Sequence, residues 1–480
     1  MSQNFNLLYV FKGSAIYGVS EVITAAIRFF LIAILTRVFT PSDFGVYSII
    51  VATITFTSII LPIGIPSATM INFGPDLKSN NILKNSAFLF LLKICIIGAL
   101  IFYLLTITLF KYTIIEKLFL WIVILCVCDV LSYVPKASLR FNQKIFISGI
   151  AKIIRSLIML GFLFFLLYWQ KMPGIISIFV AEAFGALCEF FLCLYFDKFI
   201  PSLIIKKDLI FSLLSSGLPF LLVTLGFLLN DLSNRYIVFL ILGQNANGYF
   251  SAAARISWIG SFFSEALNAM WFPYFFMLAN NNNIIKHEIE NFSKRMILLC
   301  ALLVSFISIL IPNMVYLNLF GKYFIAPKYH SIIGLIAPLT IAYFFKMVLY
   351  VFLPILSYNK KTINFSFIIL AGALVNIGLT SVIAIVFKKL ELFILLKIIA
   401  FIISFSYLFC IVLSIKESNF FKEKRYFTSK IILFCAILVI IPFLPFYSYI
   451  NLLLWLLICF IIYRTYFLNS NFLKRLFIRE

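Results

Sequence analysis

The 480-residue chain is 64% apolar and 12% charged, against roughly half apolar and a quarter charged in soluble globular proteins, which excludes a water-soluble enzyme. Its net charge of +22, from 39 Lys and Arg against 17 Asp and Glu, would fit a nucleic-acid binder in a soluble chain. No basic run is long enough for a nucleic-acid arm, and the enrichment of Lys and Arg in the cytoplasmic loops of membrane proteins supplies the other explanation.

A helix needs about 20 apolar residues to cross the hydrocarbon of a bilayer. In chain order, apolar runs between polar or turn-forming breaks predict spans near residues 14–36, 44–65, 86–109, 118–135, 147–168, 175–196, 214–242, 248–273, 296–316, 331–356, 363–387, 392–415, 430–447 and 450–468. The fold class is therefore all-α, a polytopic membrane protein of about 14 transmembrane helices. The first run follows a short polar start and is too long for the core of a cleaved signal peptide, so it reads as a permanent span. With the N-terminus in the cytoplasm, the inner connections hold 21 Lys and Arg, among them Lys84, Lys136, Arg140, Lys206 and Lys422, and the outer ones hold 8, among them Arg37, Lys111 and Lys322. That bias places both termini inside and accounts for much of the excess charge.

No outer connection exceeds about twenty residues, which leaves no extramembrane domain to house chemistry. The nine cysteines all lie in apolar stretches without a CxxC pair, and the two histidines, His287 and His330, sit in separate polar connections. Neither a metal site nor a catalytic triad is expected from them.

Shifting the chain by 203 residues brings Phe44-Gly45-Val46-Tyr47-Ser48 onto Asn247-Gly248-Tyr249-Phe250-Ser251, each at the opening of a span. Six spans separate the copies, so the two halves share one orientation and are related by an axis along the membrane normal. The expected organisation is a first lobe over residues 1–208, a second over 209–415, and two extra helices with a cytoplasmic tail over 416–480. Two such six-helix lobes around a central cavity are an arrangement for alternating access.

The run Leu35-Thr36-Arg37-Val38-Phe39-Thr40-Pro41-Ser42-Asp43-Phe44-Gly45-Val46-Tyr47-Ser48, followed by Leu61-Pro62-Ile63-Gly64-Ile65-Pro66-Ser67-Ala68, resembles the opening helices of the polysaccharide transporters in the multidrug/oligosaccharidyl-lipid/polysaccharide flippase superfamily. Tyr133-Val134-Pro135-Lys136-Ala137-Ser138-Leu139-Arg140 is similar to that family's junction after the fourth helix, and Asn234-Arg235-Tyr236-Ile237-Val238 with Gly248 to Arg255 resembles its second lobe. Within the superfamily the resemblance is to the Wzx-type flippases. It implies an undecaprenyl-diphosphate-linked oligosaccharide as cargo, a place in the bacterial inner membrane, contact with membrane lipids and with other glycan polymerisation and export proteins, and no nucleic acid. The family commonly carries Asp before the arginine of the seventh helix; this chain has Asn234 there, with Asp231 one turn earlier.

Fourteen ionisable residues fall inside the spans: Glu21, Arg28, Lys93, Asp129, Lys152, Arg155, Glu182, Glu189, Asp231, Arg235, Arg255, Glu265, Lys346 and Lys397. At roughly 3 kcal/mol each in lipid they would cost about 40 kcal/mol together, so most must face water or one another. Eight of them are basic, which makes the interior cationic and suited to a diphosphate, since arginine offers a planar fork of donors and keeps its charge. Arg28, Arg255, Lys346, Arg235, Lys152 and Arg155 are the substrate-binding candidates. Lys152, Arg155, Lys93 and Lys397 are near enough to a membrane surface to reach headgroups instead, and Asp231 could neutralise Arg235 across one turn. Asp129 and Glu21, acids well inside their spans, are candidates for H+ or Na+ coupling; no other cofactor is expected. Glu182 and Glu189, seven apart on one face of a helix, read as structural partners of neighbouring bases.

A cation-coupled drug antiporter of the same superfamily is the alternative, but it calls for an acid-dominated cavity. A membrane glycan polymerase is disfavoured by the short outer connections. The topology is directly testable: reporters fused between Gly243 and Asn247 and between Tyr447 and Asn451 are expected to read periplasmic, and those at Lys206 and Lys422 cytoplasmic. Reversal at either set would overturn the span map.

Overall fold

Hydrocarbon offers the backbone no hydrogen-bonding partner, so an apolar chain that enters it must satisfy its own N–H and C=O groups, and helices do so within one segment. The computed structural model follows that rule, describing residues 7–73, 77–108, 113–142, 144–199, 201, 206–260, 271, 275, 285–319, 322–418, 435–438, 440, 442 and 448–462. The described residues form helices α1 (Leu7–Val38), α2 (Pro41–Ile60), α3 (Ile65–Asn72), α4 (Leu77–Thr108), α5 (Ile114–Phe141), α6 (Ile145–Phe164), α7 (Gly174–Asp197), α8 (Lys207–Leu242), α9 (Gln244–Ser257), α10 (Ile285–Val315), α11 (Ile333–Tyr358), α12 (Thr362–Val386), α13 (Leu392–Ser418) and α14 (Ser448–Ile462). Among the described residues, nine helices are long and apolar enough to cross a membrane, and the chain is a multi-pass membrane protein. A short hairpin, Asn318–Leu319 with Lys322–Tyr323, and a 3-10 turn at Pro327–Ile332 follow α10. The expected span at 430–447 lies largely outside the described residues, as does the second half of the one at 248–273.

Two elements depart from the sequence-based expectation. The run expected to end near residue 65 divides: α2 stops at Ile60, a turn with left-handed Ile63 (φ 47) and Gly64 (φ 73) intervenes, and Pro66 sits in the first turn of α3, where a missing N–H costs nothing. The segment Tyr133–Arg140, expected as a junction after a helix ending near 135, is instead helical, and α5 runs through Pro135 to Phe141. Burial explains the extension, since Val134, Ala137, Ser138 and Leu139 are all packed inside.

Two compact units result, Met1–Gly248 with Ile369–Ala373, and Tyr249–Ile368 with Leu374–Glu480. The division falls inside α9, and α8 belongs to the first unit, where it packs on α2, α3 and α4. α2 is started by a reciprocal cap: the Asp43 N–H donates to the Thr40 hydroxyl at 3.2 Å, and the Asp43 carboxylate accepts from the Thr40 N–H at 3.1 Å. In the second unit, α11 is the buried centre, packed against α10 and α13. Hydroxyls serve its polar groups: Ser404 donates to the Pro338 carbonyl at 3.2 Å, Ser257 to the Ile336 carbonyl at 3.1 Å, and Thr340 and Ser308 share a 2.6 Å hydrogen bond. α14 is fastened to α10 by the Trp455 indole, which donates to Ser305 Oγ at 2.8 Å.

One end of the first unit is tied by a buried ion pair. Lys84 of α4 places Nζ 3.1 Å from Asp197 Oδ2 and 3.1 Å from Ser138 Oγ, and Ser138 donates to Asp197 Oδ1 at 2.6 Å. The ammonium also lies 5.4 Å from the centre of the Phe199 ring. Side-chain exposures of 8% and 1% leave little water to replace a lost partner. Asp197→Ala is therefore expected to destabilise the protein by about 3 kcal/mol, read as a lower thermal midpoint in detergent, while Lys84→Met with Asp197→Leu recovers most of it. An unchanged midpoint in Asp197→Ala would show that the pair does not hold α4, α5 and α7 together.

Candidate functional site

Three consecutive helices of the first unit bring five charges together. Asp129 and Lys136 are seven residues apart on α5, Glu182 and Glu189 seven apart on α7, and Arg155 stands between them on α6. Seven residues are nearly two helical turns, so each pair shares a face. Arg155 donates through Nη1 to Asp129 Oδ1 and, at 2.9 Å, to Glu189 Oε2; its Nη2 reaches Asp129 Oδ2 at 3.5 Å and lies 3.9 Å from Glu182 Oε2. Lys136 Nζ is 2.9 Å from Glu189 Oε1. Gly185, between the two glutamates, lets α6 approach closely: a Cβ there would sit 2.8 Å from the Arg155 carbonyl oxygen.

The network gives buried carboxylates a compensating charge in a medium that would otherwise make each of them costly. Glu189 is 2% exposed and has a cation on either oxygen. Glu182 and Asp129, at 25% and 21%, lie at the accessible edge. Asp129 and Arg155, singled out from the sequence for different roles, are thus partners, and the Arg155 guanidinium is already engaged by carboxylates. Lys136 was missed, having been assigned to a connection. The signal that could have found it is its spacing of seven from Asp129, matching the spacing of Glu182 and Glu189.

The other substrate-binding candidates are distributed over both units. In the first, Arg28 is exposed on α1, Lys152 is half-buried one turn before Arg155, and Arg235 is half-buried on α8. In the second, Arg255 is half-buried in the last turn of α9 and Lys346 is buried on α11. Each of these five engages another group. The side chain of Glu21 lies outside the described residues. Lys93 and Lys397 are exposed on their helices, where long side chains can reach headgroups. Asn234 is fully buried, and neither of its amide atoms has a hydrogen-bond partner among the described residues; a neutral amide is far cheaper to bury than an ionised aspartate. Trp271 is fully buried with its indole donating to the Val351 carbonyl at 3.2 Å, and so packs within the second unit. No group of three His, Cys, Asp or Glu suited to a metal converges among the described residues.

A second polar and glycine-rich contact runs along α2 and α8. Thr53 Oγ1 and the Tyr236 hydroxyl are 2.9 Å apart, the rings of Phe56 and Tyr236 meet edge to face at 6.1 Å, and Ala52 packs with Leu228 and Leu232. Just beyond the end of α8, the Asn247 amide donates to the Gly45 carbonyl at 2.9 Å and to Ser48 Oγ at 2.8 Å.

Comparison with known proteins agrees with this architecture. A curated relative, an uncharacterized membrane protein of Haemophilus influenzae (strain ATCC 51907 / DSM 11121 / KW20 / Rd), is 27% identical over 173 residues, which are 36% of this chain and 41% of that protein's length. Among solved structures, an outward-facing multidrug resistance MATE family transporter of the MOP superfamily is similar with a TM-score of 0.61 and 16% identity over 85% of this chain and 94% of that one. The lipid II flippase MurJ, in an inward closed conformation, has a TM-score of 0.61 and 15% identity over 98% of this chain and 99% of that one. A MOP superfamily transporter from Pyrococcus furiosus, described as having a binding pocket of reverse polarity, has a TM-score of 0.61 and 15% identity over 85% and 95%. At these identities the structures establish the fold, a helical one shared with MOP-superfamily transporters. The family model described as polysaccharide biosynthesis protein matches residues 10–279, more than half of the sequence, and the chain belongs to that family.

Proposed function

We propose that the protein is a flippase that carries an undecaprenyl-diphosphate-linked sugar repeat unit from the cytoplasmic to the periplasmic leaflet of the bacterial inner membrane, with both termini in the cytoplasm. The carrying observation is the excess of basic over acidic residues inside the spans, eight against six, in a member of a polysaccharide biosynthesis family. A diphosphate brings concentrated negative charge into the membrane, and fixed basic side chains compensate it, arginine with a planar fork of donors and a permanent charge. Membership of that family, the lipid II named in the MurJ description and the reversed pocket polarity described for the Pyrococcus furiosus transporter support a reading in which related folds carry cargoes of different charge. The drug-antiporter reading shares the fold but not the charge balance.

In this proposal Arg28, Arg255 and Lys346 are the main phosphate contacts, with Arg235 and Lys152 at the edges of the path. Arg155 is held by its carboxylates in a network of three acids and two bases, and in this reading it orders α5, α6 and α7 rather than meeting the cargo. Cargo is handed on to glycan polymerisation and export proteins, and proton or sodium movement through Asp129 or Glu21 resets the carrier.

Replacing Arg28 or Arg255 with Ala is expected to abolish surface glycan while leaving protein level and membrane insertion intact. Lys should rescue in part, because it keeps the charge but not the bidentate fork. Normal export with Gln at either position would remove that residue from the phosphate site. Asp129→Asn and Glu21→Gln, assayed for flipping under imposed ion gradients, are expected to lose gradient dependence in at least one case; unchanged dependence in both would remove these acids from coupling.

A further inference from the structure

The seam that α2 makes with α8 and the start of α9 is fastened at both ends by glycine. At the first end, Gly45 faces the Gln244 carbonyl and Gly248 faces the Pro41 carbonyl, each so close that an added Cβ would overlap the oxygen. The repeat shift of 203 residues carries Pro41 onto Gln244 and Gly45 onto Gly248. The contact therefore maps onto itself with its partners exchanged, as an isologous two-fold interface does, here within one chain. Around it, Ser42 Oγ donates to Gln244 Oε1 at 2.7 Å, and Asn247 ties the Gly45 carbonyl to Ser48.

At the opposite end of the seam, Gly64 in the turn between α2 and α3 meets Gly217 of α8 backbone to backbone, and a Cβ on Gly217 would stand 2.6 Å from the Gly64 carbonyl oxygen. Asn72 Nδ2 donates to Ser216 Oγ at 3.1 Å beside it. Gly64 has φ 73, and its neighbour Ile63 holds φ 47, a conformation that a β-branched residue rarely adopts.

We propose that these are two latches, and that transport opens the Gly45–Gly248 latch and the Gly64–Gly217 latch in turn. The inference rests on the transporter reading above, whose topology puts the first latch on the outer side and the second on the inner. Close backbone packing and neutral hydrogen bonds are suited to this work. Glycine contacts hold two helices together within a membrane through many weak attractions, and these part without stranding a charge in hydrocarbon. The repeat-related form of the outer latch also means that a small rotation of either motif loosens both of its glycine contacts together.

The test pairs cysteines across each end, Ser42→Cys with Gln244→Cys and Asn72→Cys with Ser216→Cys, in the full chain with its native cysteines retained. A short, reducible bifunctional methanethiosulfonate reagent is applied in native membranes, with the unmodified chain as control. Both pairs are expected to cross-link, and cross-linking at either end should stop glycan export until a reductant is added. Gly45→Ala or Gly248→Ala is expected to lower outer cross-linking about tenfold while inner cross-linking persists, which also reports that the variant is folded; Gly217→Ala should do the reverse. Failure of either pair to cross-link, equal loss at both ends in a glycine variant, or full export with either end cross-linked would overturn the proposal. The cross-linking measurements involve no cargo, so a wrong cargo assignment would leave them intact, whereas a static seam would permit export with its ends cross-linked.

Discussion

A charge inside hydrocarbon must be met by another charge, by water or by bound cargo, because the medium itself does nothing to stabilise it. That constraint organises the first unit. Arg155 could not be buried without Asp129 and Glu189, nor Glu189 without Arg155 and Lys136. Satisfying all four fixes the rotation of α5, α6 and α7 about their own axes. Gly185 on α7 then allows α6 to come close enough for the guanidinium to reach across. A second pair, Lys84 with Asp197, applies the same rule where α4, α5 and α7 meet.

The polar network and the α2–α8 contact do different physical work. Ion pairs buried in the first are strong and directional, and breaking one leaves an uncompensated charge, which suits a body that moves as a unit. Along the seam of α2 with α8 and the start of α9 the contacts are glycine to carbonyl, amide to hydroxyl and aromatic edge to face. Each is weak and neutral, which suits a seam that parts and closes. The strained turn at Ile63 and Gly64, sitting at one end of that seam, belongs to the same division between rigid bundle and separable edge.

The residues proposed to meet cargo follow from the same constraint from the other side. Arg28 is exposed on α1 and Arg255 half-buried at the end of α9, and each engages another group. In the proposed function a lipid-linked diphosphate adds negative charge beside these cations as it passes.

Composition and periodicity alone determined the membrane class, the run of helices and most of their bounds, since the length of an apolar stretch is set by bilayer thickness and needs no tertiary partner. The repeat was legible too: Pro41 opens α2 and Gln244, its counterpart 203 residues on, opens α9. The family resemblance rested on the same residues, read as motifs. What sequence could not decide was which charges meet, because that depends on how helices rotate and how deep each side chain lies. Thus Lys136, counted among the inner connections, turned out to sit on α5 facing Glu189, and Arg155, read as an anion ligand, turned out to be engaged by acids from two neighbouring helices. Tertiary packing also gave Gly45 and Gly248 their meaning, since the lack of a side chain matters only when another backbone occupies the space it leaves.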